Sequence, residues 1–174
     1  MTYSVGFRVP RSAELASELL MGLSEEMTED HGSASDLLYQ DPHQAAAIQD
    51  ASVPKALQEF AAQSVAKALK DPQILNCLLG ESLTEPKSNV WFEPLDAEPD
   101  LSSGVQLDRR TKMMYDERHV FINGESFRVA GKDARCLRQL ADERQLSALK
   151  LAQMSDVAQE ALEDWMLAGW LKTL

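Results

Sequence analysis

The chain has 174 residues, 44% of them hydrophobic, and a formal net charge of −11 at pH 7. That length suits one or two domains with a real core, while no apolar run approaches the roughly 20 residues that cross a bilayer. The acidic balance offers no basic footprint for a polyanion, and the N-terminus shows neither the basic n-region nor the apolar h-region of a secretory signal.

The first residues, TYSVGFRVP, alternate polar Thr2, Ser4 and Gly6 with apolar Tyr3, Val5 and Phe7. Period 2 predicts a strand with two unlike faces, stopped by Pro10, which cannot donate to a ladder. No comparable run follows until about residue 112, so this strand has no evident partner. Next, Leu15, Leu19, Leu23 and Met27 recur every four residues, widened by Ala16 and Leu20, and predict an amphipathic helix over 11–29 capped by Ser12. HGSAS, 31–35, reads as a loop, and LLYQDPHQ, 37–44, is too broken for an element. Pro54 opens a second helix with the stripe Leu57, Phe60, Ala61, Val65, Ala68 and Leu69. Asp71-Pro72 opens a third, carrying Ile74, Leu75, Leu78 and Leu79, with Gly80 placed to end it. These helices predict a helical domain over 11–92, bounded by the Pro-, Asp- and Ser-rich linker 93–104.

Residues 105–174 form the second predicted unit. Two short β-like runs flank Asn123-Gly124, a dipeptide suited to a type I′ hairpin turn. KDARCLRQLADER reads as a helix with Cys136, Leu137, Leu140 and Ala141 on one side, and LSALKLAQM as a short second one. Ser155 caps a third, which turns Val157, Ala161, Leu162, Trp165 and Met166 inward until Gly169 ends it. WLKTL returns as a strand. A hairpin, three helices and a terminal apolar strand are the parts of a winged-helix domain. The fold class is therefore mainly α with a small β component (α+β): an N-terminal strand stub, a helical domain and a C-terminal winged helix.

Charge supports two units with different surfaces. Residues 1–104 hold 6 Lys/Arg against 17 Asp/Glu, whereas 105–174 hold 11 of each. The helix after Ser155 bears Asp156, Glu160, Glu163 and Asp164 and no base, so it is a poor reader of phosphates. Arg135, Arg138, Arg144 and Lys150 make a modest basic set on the helices before it. Chemistry is sparse. The histidines read His31-Gly-Ser, His43-Gln-Ala and His119-Val-Phe, which supplies no H-x-D or H-x-E pair for a non-haem iron. No CxxC, HExxH, GxSxG or phosphate loop occurs. Glu25/Glu26 and Glu163/Asp164 read as solvated helix surface, and Cys77 and Cys136 as reduced thiols.

TYSVGFRVP resembles the last barrel strand of the cupin-like JmjC ribosomal oxygenases, bacterial enzymes that hydroxylate an arginine of a large-subunit ribosomal protein. LLYQDPHQ, VPKALQEF (53–60), LLGESLTEPK (78–87), INGESFRV (122–129) and LAGWL (167–171) continue the resemblance in the same order. It implies that residues 1–10 are the last strand of a truncated barrel, 11–92 a dimerisation domain and 105–174 a winged helix. It further implies a non-catalytic, C-terminal portion of a cytoplasmic Fe(II)/2-oxoglutarate-dependent enzyme, whose metal ligands lie upstream. Under it, Thr2 and Ser4 face 2-oxoglutarate in an intact barrel, and Leu15, Leu19, Leu23 and Met27 serve a homodimer. The chain as given is expected to hold no metal, to be inactive, and to bind neither membrane nor duplex DNA, with a ribosomal protein as the whole enzyme's substrate. Two readings from other classes compete: an acidic winged-helix interaction module with no enzymatic parent, and a DNA-binding regulator.

Overall fold

The computed structural model describes residues 9–29, 37–40, 42 and 51–174. The alternating segment with Thr2 and Ser4, the HGSAS loop and most of DPHQ lie outside the described residues. The chain forms two compact units, 1–78 and 79–174.

The first unit contains α1 (Ser12–Glu29), α2 (Lys55–Ala68) and the start of α3 (Pro72–Thr84), which straddles the division. α1 begins one residue earlier than a Ser12 cap requires: Ser12 is already helical, and the Leu15 N–H donates to the Arg11 carbonyl at 2.9 Å. Pro54 precedes α2 as its cap residue, its carbonyl accepting from the Leu57 and Gln58 N–H groups. α3 starts on Pro72, and the Gln73 N–H donates to the Asp71 carboxylate at 2.8 Å. α1 meets α3 at Gly22, where a Cβ would lie 3.0 Å from Leu78 Cδ2.

Gly80 does not end α3. The helix runs on to Thr84, and Gly80 is buried inside it because the Phe121 ring lies where a Cβ would stand. Its meaning is close approach rather than termination. α3 is closed instead by Thr84, fully buried, whose hydroxyl donates to the Gly80 carbonyl at 2.9 Å.

The second unit adds β1 (Val105–Leu107), β2 (Met113–Tyr115), β3 (His119–Ile122), β4 (Glu125–Arg128), α4 (Gly131–Glu143), β5 (Gln145–Leu146), α5 (Ala148–Leu151), α6 (Asp156–Leu167) and β6 (Leu171–Thr173). They form two antiparallel three-stranded sheets, ordered β5-β1-β6 and β2-β3-β4. Asn123 (φ 48°) and Gly124 (φ 94°) make the two-residue turn between β3 and β4, as their type predicts. β1 is a finding the periodicity does not reveal: three residues carry no countable pattern, yet β1 is the middle strand and the partner of the terminal β6.

The core gathers Val105, Val120, Ile122, Leu137, Leu140, Leu146, Leu151, Leu162, Trp165 and Leu171 from both sheets and from α4, α5 and α6. Ser155 caps α6 by accepting from the Ala158 N–H. Beyond α6, the Gly169 N–H donates to Met166 O and the Trp170 N–H to Trp165 O, a Schellman closure with Gly169 at φ 76°. Val157 is a correction. It is 76% exposed, because it lies about 130° round the helix from the arc centred on the buried Leu162, Trp165 and Met166.

The stretch assigned from composition to a linker, 93–104, lies within the second compact unit. The Leu95 N–H donates to Leu167 O at 2.9 Å, Glu93 backbone lies against Gly169, and the neighbouring Phe92 ring packs edge-on against Trp170.

Candidate interaction surfaces

In the first unit, α1 presents its stripe in graded fashion. Leu23 is buried, Leu15 and Leu19 are half-buried, and Met27 is exposed, as are Leu20 and Met21 beside them. α2 departs from its expected role as a core helix, for none of its residues is buried. Leu57 and Val65, with Leu69 at its C-cap, are exposed, and Phe60 is only half-buried, its ring 5.5 Å from that of Tyr39. Leu37, Leu38, Ala56 and Phe60 line an open hollow beside Glu59 and Gln63. An amphipathic helix whose apolar stripe meets water is incomplete by itself.

In the second unit the charged groups divide into those engaged in the fold and those left free. Asp108 is 4% exposed and sits after β1. It accepts from Arg110 Nε at 2.8 Å, from the Arg110 backbone N–H at 2.9 Å and from Lys172 Nζ at 2.7 Å. The Arg110 guanidinium holds the Asp108 carboxyl well below the usual carboxylate range, against the opposing effect of burial and with help from Lys172. Arg110 also donates to Trp91 O at 2.9 Å and lies over the Phe92 ring, fastening that segment to the domain.

The basic set read from the sequence is mostly occupied. Arg138 Nη2 donates to the Asp116 and Glu117 carbonyls at 3.0 and 2.8 Å, with its guanidinium over the Tyr115 ring. Arg144, in the left-handed region at φ 60°, donates to the Asp108 and Thr111 carbonyls at 2.7 and 3.1 Å. Lys150 is hydrogen-bonded to Gln139. Only Arg135 of the four is exposed without such a bond among the described residues. The hairpin turn is engaged too. The Gly124 N–H donates to Thr84 Oγ1 at 3.1 Å, Asn123 Oδ1 accepts from the Lys112 N–H, and Lys112 Nζ donates to Glu85 O at 2.6 Å.

α6 is the reverse case. Asp156, Glu160, Glu163 and Asp164 are all exposed, and among the described residues none forms an ion pair. His119 heads β3 half-buried, with Nδ1 3.4 Å from Asp116 Oδ2. Among the described residues no group of three or more His, Cys, Asp or Glu side chains is placed to hold a metal ion, and no helix is long and apolar enough to cross a membrane. Cys77 and Cys136 are not joined in a disulfide. Thr2 and Ser4 lie outside the described residues, whereas Leu15, Leu19, Leu23 and Met27, expected from the sequence to serve a homodimer, lie within them. The occupied arginines and the free α6 acids were legible as charges, but their partners were not.

Residues 67–172 match the family model described as ROXA-like winged helix. Comparison with curated protein sequences gives no match. Among solved structures the chain is similar to the X-ray structure of E. coli ycfD, at 17% identity and a TM-score of 0.72, covering 97% of this chain and 46% of that one. The structure of YcfD, a ribosomal oxygenase from Escherichia coli, in complex with cobalt and succinic acid is 18% identical with a TM-score of 0.72, over 97% and 48%. Its complex with cobalt and 2-oxoglutarate is 16% identical with a TM-score of 0.71, over 97% and 47%. At such identities the shared property is the fold, and the chain spans about half the length of these structures.

Proposed function

The chain belongs to the ROXA-like winged-helix family, and from that premise we propose that it is the non-catalytic, C-terminal portion of a cytoplasmic Fe(II)/2-oxoglutarate-dependent oxygenase acting on a ribosomal protein arginine. The observation that carries this is the joint one of a family match over 67–172 and a common fold across 97% of the chain with part of a ribosomal oxygenase. The described residues do not fit an iron centre, since no three metal-binding side chains converge. Iron and 2-oxoglutarate are accordingly assigned to a barrel that this chain would complete through residues 1–10, with Thr2 and Ser4 near 2-oxoglutarate.

In this reading the work of the chain is assembly. The helical portion, 11–92, pairs two copies through Leu15, Leu19, Leu23 and Met27. The exposed apolar residues of α1 and α2 support that role, because a second copy would remove them from water at roughly 25 cal/mol per Å² of apolar surface. The winged helix, 105–174, follows the segment 93–104, which packs within the same compact unit.

The test is an assay of the chain alone with Fe(II), 2-oxoglutarate and a ribosomal protein, beside the same assay of the complete reading frame. The expected result is turnover only in the second, and only where an H-x-D and a later His precede the present residues. Stoichiometric iron retention by the chain alone would overturn the proposal, as would a complete frame lacking those ligands.

A further inference from the structure

We propose that Asn123-Gly124 is a site of self-modification, at which the Gly124 backbone nitrogen closes on the Asn123 side chain, and that Thr84 holds it shut in the folded domain. The role is independent of the oxygenase reading. The reaction needs an asparagine followed by an uncrowded nitrogen. Asn76 precedes Cys77, Asn89 precedes Val90, and Asn123 alone precedes a glycine. Glycine lacks the Cβ that would crowd the approach. Hydroxide takes the Gly124 amide proton and the nitrogen bonds to Asn123 Cγ. The side-chain nitrogen leaves as ammonia with a proton from water, which restores the hydroxide. Water then opens the cyclic imide at either carbonyl. One opening leaves aspartate, the other isoaspartate, whose main chain is longer because it runs through Cβ.

The fold keeps the two reacting groups engaged elsewhere. The Gly124 N–H donates to Thr84 Oγ1 at 3.1 Å, and that hydroxyl is itself fixed by donating to the Gly80 carbonyl at 2.9 Å. Asn123 Oδ1 accepts from the Lys112 N–H at 3.0 Å, which ties the side chain to the residue before β2. Asn123 is 8% exposed, and its Nδ2 is buried with no hydrogen-bond partner among the described residues. The leaving group is therefore the one end of the site that nothing holds, and burial keeps hydroxide and water from it. The guard stands at the nucleophile, and it comes from the last turn of α3. Lys112 Nζ reinforces it by donating to Glu85 O, next to Thr84. When this turn leaves the hairpin, Gly124 N–H and solvent meet, and the reaction makes the departure permanent. Aspartate puts a charge at a buried position. Isoaspartate lengthens a turn whose two residues set Ile122 opposite Glu125. The hairpin thus keeps an irreversible record of α3 detachment.

The experiment incubates the 174-residue chain in mildly alkaline buffer, folded and in urea, and follows the tryptic peptide 119–128 by mass spectrometry. That peptide holds Asn123 and no other asparagine. The readouts are the mass change from NH2 to OH and labelling by an isoaspartyl methyltransferase. Modification of the folded chain should run about tenfold slower or more than in urea, because it waits on local opening. Thr84→Val keeps the shape, removes the acceptor and should speed the folded chain about three- to tenfold, the weight of one net hydrogen bond in that opening. Thr84→Ser keeps the acceptor, drops a methyl group and should speed it less than valine does. Equal rates in the folded chain and in urea overturn the proposal. So does a valine variant no faster than the unmutated chain, or a serine variant as fast as valine. Should circular dichroism show the valine variant unfolded, Lys112→Ala, which removes only the Nζ bond to Glu85 O, carries the comparison. Faster modification than in the unmutated chain is then expected, and an unchanged rate overturns the proposal.

Discussion

Asp108 shows how one side chain ties together parts of the domain that local sequence does not connect. It joins Arg110 on its own loop to Lys172 in β6, and through Arg110 reaches the Trp91 carbonyl. The folded-state pKa is depressed, so the carboxylate contributes stability that is present above its unfolded value of about 4 and is lost as pH falls below that. Asp108→Asn should lower unfolding free energy at pH 7 by about 1–2 kcal/mol, the arginine and lysine being exposed enough for solvent to screen them. It should also flatten the loss of stability between pH 5 and the acid limb relative to the unmutated chain. Urea titrations across that range check both. Gly80 offers a steric counterpart. Gly80→Ala places a methyl group in the Phe121 ring and should cost about 1–3 kcal/mol. Gly22→Ala meets only the mobile end of Leu78 at 3.0 Å and should cost less. Arg144 separates two effects at one position. Glycine there relieves the left-handed backbone and alanine does not, so Arg144→Ala should be less stable than Arg144→Gly by about 1 kcal/mol, though both lose the carbonyl bonds.

Among the elements, α2 is the one whose sequence and surroundings disagree. Its stripe has the period of a buried helix, and no residue of it is buried. Val65→Asp tests whether a second copy supplies the missing partner. Val65 is 60% exposed, so a carboxylate there is tolerated in the single chain but costly in an apolar interface. Sedimentation should show self-association for the unmutated chain and a monomer of unchanged helicity for the variant. A monomeric unmutated chain at high concentration would count against a dimer. Elements defined by near neighbours were legible in advance: the α1 stripe, the Asn123-Gly124 turn, the Ser155 cap and the Gly169 closure each depend on residues within a few positions. Those defined by distant neighbours were not. Nothing local to Gly80 announces Phe121, nothing in Val-Gln-Leu announces a central strand, and nothing in the α2 stripe announces that it stays exposed. The candidate surface divides likewise. The four acids of α6 were plain in the sequence, whereas Val157 was read inward on its apolar character alone, although helical geometry sets it opposite Met166.

For the molecule as a whole, net charge is a property of solution behaviour as well as of any one face. With Arg138 and Arg144 bound to carbonyls and α6 bearing four acids and no base, the helix surface of the second unit offers nucleic acid little to hold. Fluorescence titration with a generic duplex at about 150 mM salt should give no micromolar binding. Micromolar binding that vanishes with Arg135→Ala would instead favour the regulator.

The place of β1 has a consequence in time. Val105 pairs with Thr173 on one side and with Leu146 on the other, so the middle strand of its sheet precedes both neighbours by a long stretch of chain. Closing such separations is slow compared with forming a helix or a hairpin. As the polypeptide is made from its N-terminus, α4 and the β3–β4 hairpin are complete while Leu171 is still unmade. Until it emerges, Val105 and Leu107, buried in the finished protein, stand open along one edge. A ribosome stalled within α6 therefore holds a nearly finished domain with its central strand half covered, and this interval is when the second unit is most exposed to aggregation or proteolysis.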